Sequence, residues 1–436
     1  GRSVSGRPIH LVHVQSRATK PATWKVLLIG AQHGNEPAGA TALLYMIRDL
    51  MDRSAKLNAT VDLWIIPVAN PDGYAVNKRT NANDMDLNRD HIGLTQPETQ
   101  TIHRVHRQLM PLVTVDCHEF ARDSGDYVDA GWTEWPIIMM DAGSNPLFDP
   151  AIRKAGLEWV SGAEKPLAAR GHNYMRYNVG GLPPEEELRW STLVTDDARN
   201  GLAMDGGLAF IIESGMYRGA KNPSADLGTR VDAYLALLDP FLKNTKRFGA
   251  DAKRVQASRA AKAPAWLPTN YFWGSNDLRL TDVSVIDRKT SDTLILKTPN
   301  FMQDLIVKSA VPTPKGYAID AALADKFTPL FEAHGIAFEK IGSARKLTVE
   351  RVKVLRREDG TDPVYNRFGG RIITQRQKAV VVELPAGSLM VAMDQPAWRR
   401  AALVLEPTML YGLHSEAPWD AMAKADDVLP VHRVIE

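Results

Sequence analysis

Apolar positions along the first half of the chain fall in two rhythms. Short continuous or alternating runs of strand length occupy residues 24–29, 61–68, 112–115 and 208–212, and an alternating run closes the opening segment 1–14. Between them, residues 38–50, 96–110, 144–162 and 227–245 space their apolar side chains at helical intervals. Strands that alternate with amphipathic helices predict an α/β layer architecture. Residues 78–90 (KRTNANDMDLNRD) read as a polar loop. Residues 164–200 lack either period and carry Gly180-Gly181 and Pro183-Pro184. An irregular segment of that length inside a domain is usually functional.

The rhythm changes near residue 248. Residues 248–266 are rich in Ala, Lys and Arg, with a proline near their end, and read as a linker. Beyond it come strand-like runs at 278–286, 293–296, 305–307, 347–355 and 378–384, with helical segments near 321–334 and 396–405. A chain of 436 residues exceeds one ordinary core. The expected organisation is an α/β domain over residues 1–247 and a second, α+β or β-rich domain over 267–436.

Polar groups cluster where the apolar runs of the first domain stop. Residues 25–29 lead to His33 and Glu36, 63–68 to Asn70, 112–115 to His118, and 208–212 to Glu213. In an open α/β sheet, ligands bind beyond the carboxyl ends of strands. His33 and Glu36 lie three apart in Gln32-His33-Gly34-Asn35-Glu36-Pro37, with Pro37 placed to start a helix. With His118 they make the three-ligand set that a catalytic zinc requires. Glu213 is the candidate base for a metal-activated water. Arg79, Asn88 and Arg89, in the polar loop, could grip a carboxylate and steady an oxyanion. Each group also has a plainer reading: His118 and Glu213 as caps, the arginines as solvated charges. Convergence of four strand ends is more specific than any one of them.

Composition narrows the class. Apolar residues make up 44% and charged residues 24%, and the net charge is +2. No dense basic block marks a nucleic-acid surface, and no apolar run reaches the roughly 20 residues that span a bilayer. The single cysteine, Cys117, rules out an intramolecular disulfide. The chain opens on Gly1, so an upstream segment such as a signal peptide is expected. The expected location is secreted or periplasmic, with the cytoplasm as the alternative.

In order, the stretches GRSVSGRPIHLVHV, QHGNEPAG, VANPDGY, RTNANDMDLNRD, VDCHE and FIIES resemble the motifs of the zinc metallocarboxypeptidase family, the family of carboxypeptidase A, over residues 1–245. The resemblance implies a mixed, twisted sheet flanked by helices. It implies one Zn2+ per chain on His33, Glu36 and His118, with Glu213 as general base and acid. It assigns Arg79 to the oxyanion, and Asn88 with Arg89 to the terminal carboxylate of a peptide substrate. The family's substrate-capping tyrosine lies about twenty residues before the glutamate, in a loop of variable length. Residues 188–195 hold no Tyr, so Tyr177 and Tyr174 become the candidates. Asp196, Asp197 and Arg199 are candidates for the base of the side-chain pocket, the acids favouring basic C-terminal residues and the arginine acidic ones. PKGYAID, AHGI and LEPTMLYGL resemble C-terminal regions of bacterial secreted members.

The expected activity is therefore hydrolysis of a C-terminal peptide bond. A zinc amidohydrolase acting on N-acyl amino acids or peptidoglycan peptides is the alternative, and a zinc-free binding protein on the same fold is a third reading. The oligomeric state is left open.

Overall fold

The computed structural model describes residues 1–15, 23–52, 57, 59–277, 279–358, 361–362, 367–368, 371–416, 419 and 424–436. Seven strands build the central sheet: β1 (Val12–Gln15), β2 (Trp24–Gly30), β3 (Val61–Ile66), β4 (Val113–Ala121), β5 (Ile138–Ala142), β6 (Tyr174–Arg176) and β7 (Leu208–Met216). Their order is β1-β3-β2-β4-β7-β5-β6. The β2–β3, β2–β4, β4–β7 and β5–β6 pairs are parallel, and β1–β3 and β5–β7 antiparallel. The sheet is mixed, as expected.

Alternation along β2 shows why the run is continuously apolar. Val26 and Leu28 belong to one core cluster, and Leu27 and Ile29 to another on the opposite face. A strand covered on both sides has no solvent face to keep polar. On the first face lie α1 (Pro37–Asp52), α3 (Pro150–Gly162), α5 (Pro223–Lys243) and α6 (Thr245–Ala260), and on the second lie α2 (Pro97–Leu109) and α4 (Ala198–Ala203). Strands β4 and β7 run longer than their apolar runs suggested. They continue through His118 and Glu213, which are partners in the register of the parallel pair.

The expected linker is corrected by α6. Phe248, Asp251, Val255 and Ser258 recur at helical spacing and are buried, while Lys246 and Lys253 lie on the exposed face and the arginines bond inward. Phe248 packs against Trp24 and Trp159 with tilted rings and against Phe241 edge to face. Asp251 accepts from Trp159 Nε1 at 2.7 Å and pairs with Arg247 and Arg254. Pro264 falls beyond the helix end.

The C-terminal part carries a six-stranded antiparallel sheet, including Gly316–Ile319, Leu389–Ala392 and Val431–Val434, with α7 (Ala324–His334) and α8 (Trp398–Leu405). It is fastened to the first part. One core cluster joins Ile92, Leu94, Leu147 and Phe148 to Phe327, Phe331, Trp398 and Leu403. The short strand Trp132–Glu134 pairs with Thr281–Asp287, and Leu188–Trp190 with Phe301–Met302. No described helix is long and apolar enough to cross a membrane.

Phe248→Ala should lower the unfolding free energy by about 3–5 kcal/mol, because it empties a close-packed aromatic cluster. Chemical denaturation checks this. A change within about 0.5 kcal/mol would mean that residues 248–260 behave as an exposed connector.

Candidate metal centre and cleft

The turn between β2 and α1 has to bring two side chains to one point, and close backbone approach makes that possible. Glu36 N–H donates to the His33 carbonyl at 3.2 Å, and Gly34 N–H to the Arg79 carbonyl at 3.3 Å. A Cβ on Gly34 would fall onto the backbone of Gly73 and Tyr74. Asn70 ties this turn to the one after β3: its Oδ1 accepts from Gly73 N–H at 2.9 Å, and its Nδ2 donates to the Gln32 carbonyl at 3.1 Å.

His33, Glu36 and His118 meet there, all buried, with one ligand atom of each inside 4.8 Å of the others. His33 Nδ1 lies 2.7 Å from Glu36 Oε1, His118 Nδ1 lies 2.9 Å from Glu36 Oε2, and the two Nδ1 atoms are 3.0 Å apart. Each imidazole has its other nitrogen on a carboxylate: His33 Nε2 on Asp86 Oδ1 at 2.9 Å, and His118 Nε2 on Asp116 Oδ2 at 2.7 Å. A carboxylate accepts from each Nε2, which is thereby an N–H, and each Nδ1, set against Glu36, would present its lone pair once a cation displaces a proton there. Two such lone pairs and a carboxylate then face one another. That arrangement suits a cation at their centre, and the N, N, O set with carboxylates behind both histidines is the donor chemistry of zinc.

Electrostatics describe the same competition. Burial alone would raise the Glu36 pKa; the charge of His33 and hydrogen bonds from His118 and His33 bring it down to about 2. Burial alone would lower the His118 pKa; the Asp116 charge and the hydrogen bonds to Asp116 and Glu36 raise it well above the ordinary imidazole value. Glu36 is held further by Glu119 N–H at 3.1 Å. The Glu119 side chain accepts from Ala38 N–H at the start of α1 and from Arg230.

Glu213 stands beside His118 on the neighbouring strand, on the same face. Burial, opposed by His118 and reinforced by the Glu36 carboxylate, raises its pKa to about 7. Tyr177 reaches Glu213, and burial followed by the Glu213 charge raises the phenol pKa. Tyr174 does not join this group; its hydroxyl donates to the Val160 carbonyl at 2.6 Å, on α3. Arg79 spans the mouth, donating from Nη1 to Glu36 at 3.3 Å and from Nε to Asp86 at 3.0 Å. Asn88 accepts from Ala198 N–H at 2.8 Å, so what it offers a ligand is its amide N–H groups. Arg89 is half-buried, and the charges of Asp196, Asp86 and Asp197 overcome the desolvation and raise its pKa.

Of the pocket candidates, Arg199 is fully buried and engaged within the protein, by Asp197 at 3.0 Å, the Thr192 carbonyl at 2.5 Å and Ser191. Asp197 also caps α4 through Asn200 N–H at 2.7 Å. Sequence reasoning singled out neither Asp86 nor Asp116. Asp116 had a signal, since residues i and i+2 of a strand share a face and it precedes His118 by two.

The family model for zinc carboxypeptidase matches residues 1–110. Carboxypeptidase 2 of Trichophyton tonsurans is 26% identical over 433 residues, covering 93% of this chain and 77% of its own. Carboxypeptidase SOL1 of Arabidopsis thaliana is 35% identical over 119 residues, covering 23% of this chain and 24% of its own. Among solved structures, the metallo-carboxypeptidase from Pseudomonas aeruginosa in complex with (2-guanidinoethylmercapto)succinic acid is 25% identical, with a TM-score of 0.40, over 56% of this chain and 64% of that one.

Two outcomes are expected of the centre. Gly34→Ala should reduce zinc uptake in a chelator competition, because its methyl displaces the turn; uptake equal to wild type would contradict the close approach. Zinc affinity should also fall as pH is lowered from 8 to 6. A raised His118 pKa keeps a proton on the imidazole through that window, and the metal must displace it, at about tenfold in affinity per pH unit for one proton. A flat profile would contradict this. By sequence and by the motifs at this centre, the chain is similar to zinc carboxypeptidases, through the family model over residues 1–110 and through the fungal carboxypeptidase 2 over most of its length.

Proposed function

We propose that the chain is a zinc-dependent carboxypeptidase that hydrolyses the C-terminal peptide bond of peptides, with Glu213 as general base and acid. The observation that carries this reading is the register of β4 and β7, which sets Glu213 beside His118 and the converging acceptors of His33 and Glu36. A zinc ion held by His33, Glu36 and His118 supplies a Lewis acid that acidifies a water and polarises a carbonyl.

The protein's own groups do the rest. Glu213 takes the proton of the attacking water and returns it to the leaving amine. A pKa near 7 suits a group that must accept and then donate at neutral pH. Arg79 is exposed enough to swing from Glu36 toward a developing oxyanion. Asn88 amide N–H groups and the Arg89 guanidinium hold the terminal carboxylate of the substrate. Tyr177, against Glu213, is the better placed of the two tyrosines to donate to the substrate.

Glu213→Gln should cut kcat on short peptides by about 10²- to 10⁴-fold while zinc content stays near that of wild type. Peptides with an amidated C-terminus should resist cleavage by the wild type, since Asn88 and Arg89 then lose their carboxylate. Undiminished turnover by Glu213→Gln would remove Glu213 as the base. Equal cleavage of free and amidated peptides would remove the carboxylate grip.

A further inference from the structure

A line of buried polar groups runs from the metal centre into the C-terminal part. Arg400, on α8, is held by Asp205, whose Oδ1 accepts from Arg400 Nε at 2.7 Å. Arg400 Nη1 lies 3.4 Å from His103 Nδ1 and 3.2 Å from His334 Nδ1. His103 Nε2 lies 3.0 Å from His91 Nδ1, and His91 Nε2 lies 2.9 Å from Gln32 Oε1. Gln32 Nε2 donates to Asp116 Oδ2 at 2.6 Å, the same oxygen that accepts from His118 Nε2 at 2.7 Å. Arg400, His103, His91, Gln32 and Asp116 are all at most 1% exposed.

The direction of every bond in this line follows from its two ends. A guanidinium only donates and a carboxylate only accepts. Arg400 therefore makes His103 Nδ1 an acceptor, which makes His103 Nε2 the N–H. That in turn makes His91 Nδ1 an acceptor and His91 Nε2 the N–H. Gln32 then receives on its oxygen and donates its N–H to Asp116. Both histidines are held neutral, as this requires. Burial, with Asp116 opposing it, lowers the His91 pKa to about 3; burial and then the Arg400 charge lower that of His103. His334 closes the far end in the same sense, donating from Nε2 to the Ile92 carbonyl at 2.8 Å.

We propose that Arg400 is a positioning residue for the metal centre. Through His103, His91 and Gln32 it fixes which atom of each group donates. It thereby holds the Gln32 N–H on Asp116 and keeps the His118 Nδ1 lone pair on the metal side. A reversed Gln32 would put its carbonyl oxygen against the Asp116 carboxylate and weaken the hold on His118. This inference rests on zinc binding at His33, Glu36 and His118. It also gives the C-terminal part a task, because the order of the metal centre is set from a helix outside the central sheet.

The test is a double-mutant cycle read as zinc affinity by chelator competition, with thermal stability recorded separately. Wild type should hold one zinc that His33→Ala loses. His91→Phe and Arg400→Met should each weaken binding about tenfold, in the range known for partners of metal ligands. The double variant should be weaker than either single by no more than about threefold, because both cut one line. Arg400→Lys should recover part of the affinity. His334→Phe removes a comparable buried ring and leaves the line intact, so it should change stability and leave zinc affinity within about twofold. If Arg400→Met does not fold, His103→Leu takes its place and leaves Arg400 with Asp205. Wild-type affinity in the Arg400 or His103 variant, or single effects that multiply to about a hundredfold, would overturn the relay while zinc binding stands. A wild type that retains no zinc would overturn both.

Discussion

The lone pairs of His33 Nδ1 and His118 Nδ1 are 3.0 Å apart, with the Glu36 carboxylate against both. Acceptors this close repel unless a proton or a metal stands among them. The Asp86 and Asp116 carboxylates sustain that conflict, because each takes the N–H of one ring and leaves the other nitrogen turned toward Glu36. The rest of the site serves it. The turn after β2 can place His33 and Glu36 three apart only because Gly34 lets the backbone of Gly73 come close. Asn70 and Glu119 then pin the two sides of that turn.

The sheet adds reactivity to this point by register. His118 and Glu213 lie opposite each other on parallel strands, so no loop has to carry the base to the metal. Burial raises the carboxyl pKa of Glu213 while the same burial, met by two histidines, fails to raise that of Glu36. Two carboxylates a few residues from each other in space thus differ in basicity because of their hydrogen-bonding partners. One is suited to stay ionised against a cation and the other to exchange a proton. Arg79, partly exposed, has room to respond to substrate, while Tyr177 is fixed between two short strands against Glu213.

Much of this could be read from the chain, for identifiable reasons. The convergence of His33, Glu36 and His118, with Glu213 beside them, was legible because each follows an apolar run and falls in a motif of fixed spacing. The strands were legible as short apolar runs between amphipathic segments, and the mixed sheet followed from the family resemblance. Residues 248–260 were misread as a linker because Lys and Arg dominate the composition, whereas the four buried positions of α6 decide its packing. Arg199 looked like a pocket residue; its partners Asp197 and Ser191 are near in sequence, but only the fold shows that they enclose it. The Arg400 line was invisible for another reason. Arg400 and His103 lie 297 positions apart, and nothing local in either marks the other.

Zinc-edge X-ray absorption on the purified wild-type protein tests the central claim most directly. The account predicts a first shell of nitrogen and oxygen at about 2.0–2.2 Å, with outer-shell scattering from two imidazole rings. Cys117 points into the core on the face away from His118, so no sulfur should appear. A sulfur shell near 2.3 Å, or a first shell without imidazole scattering, would contradict the assignment of His33, Glu36 and His118.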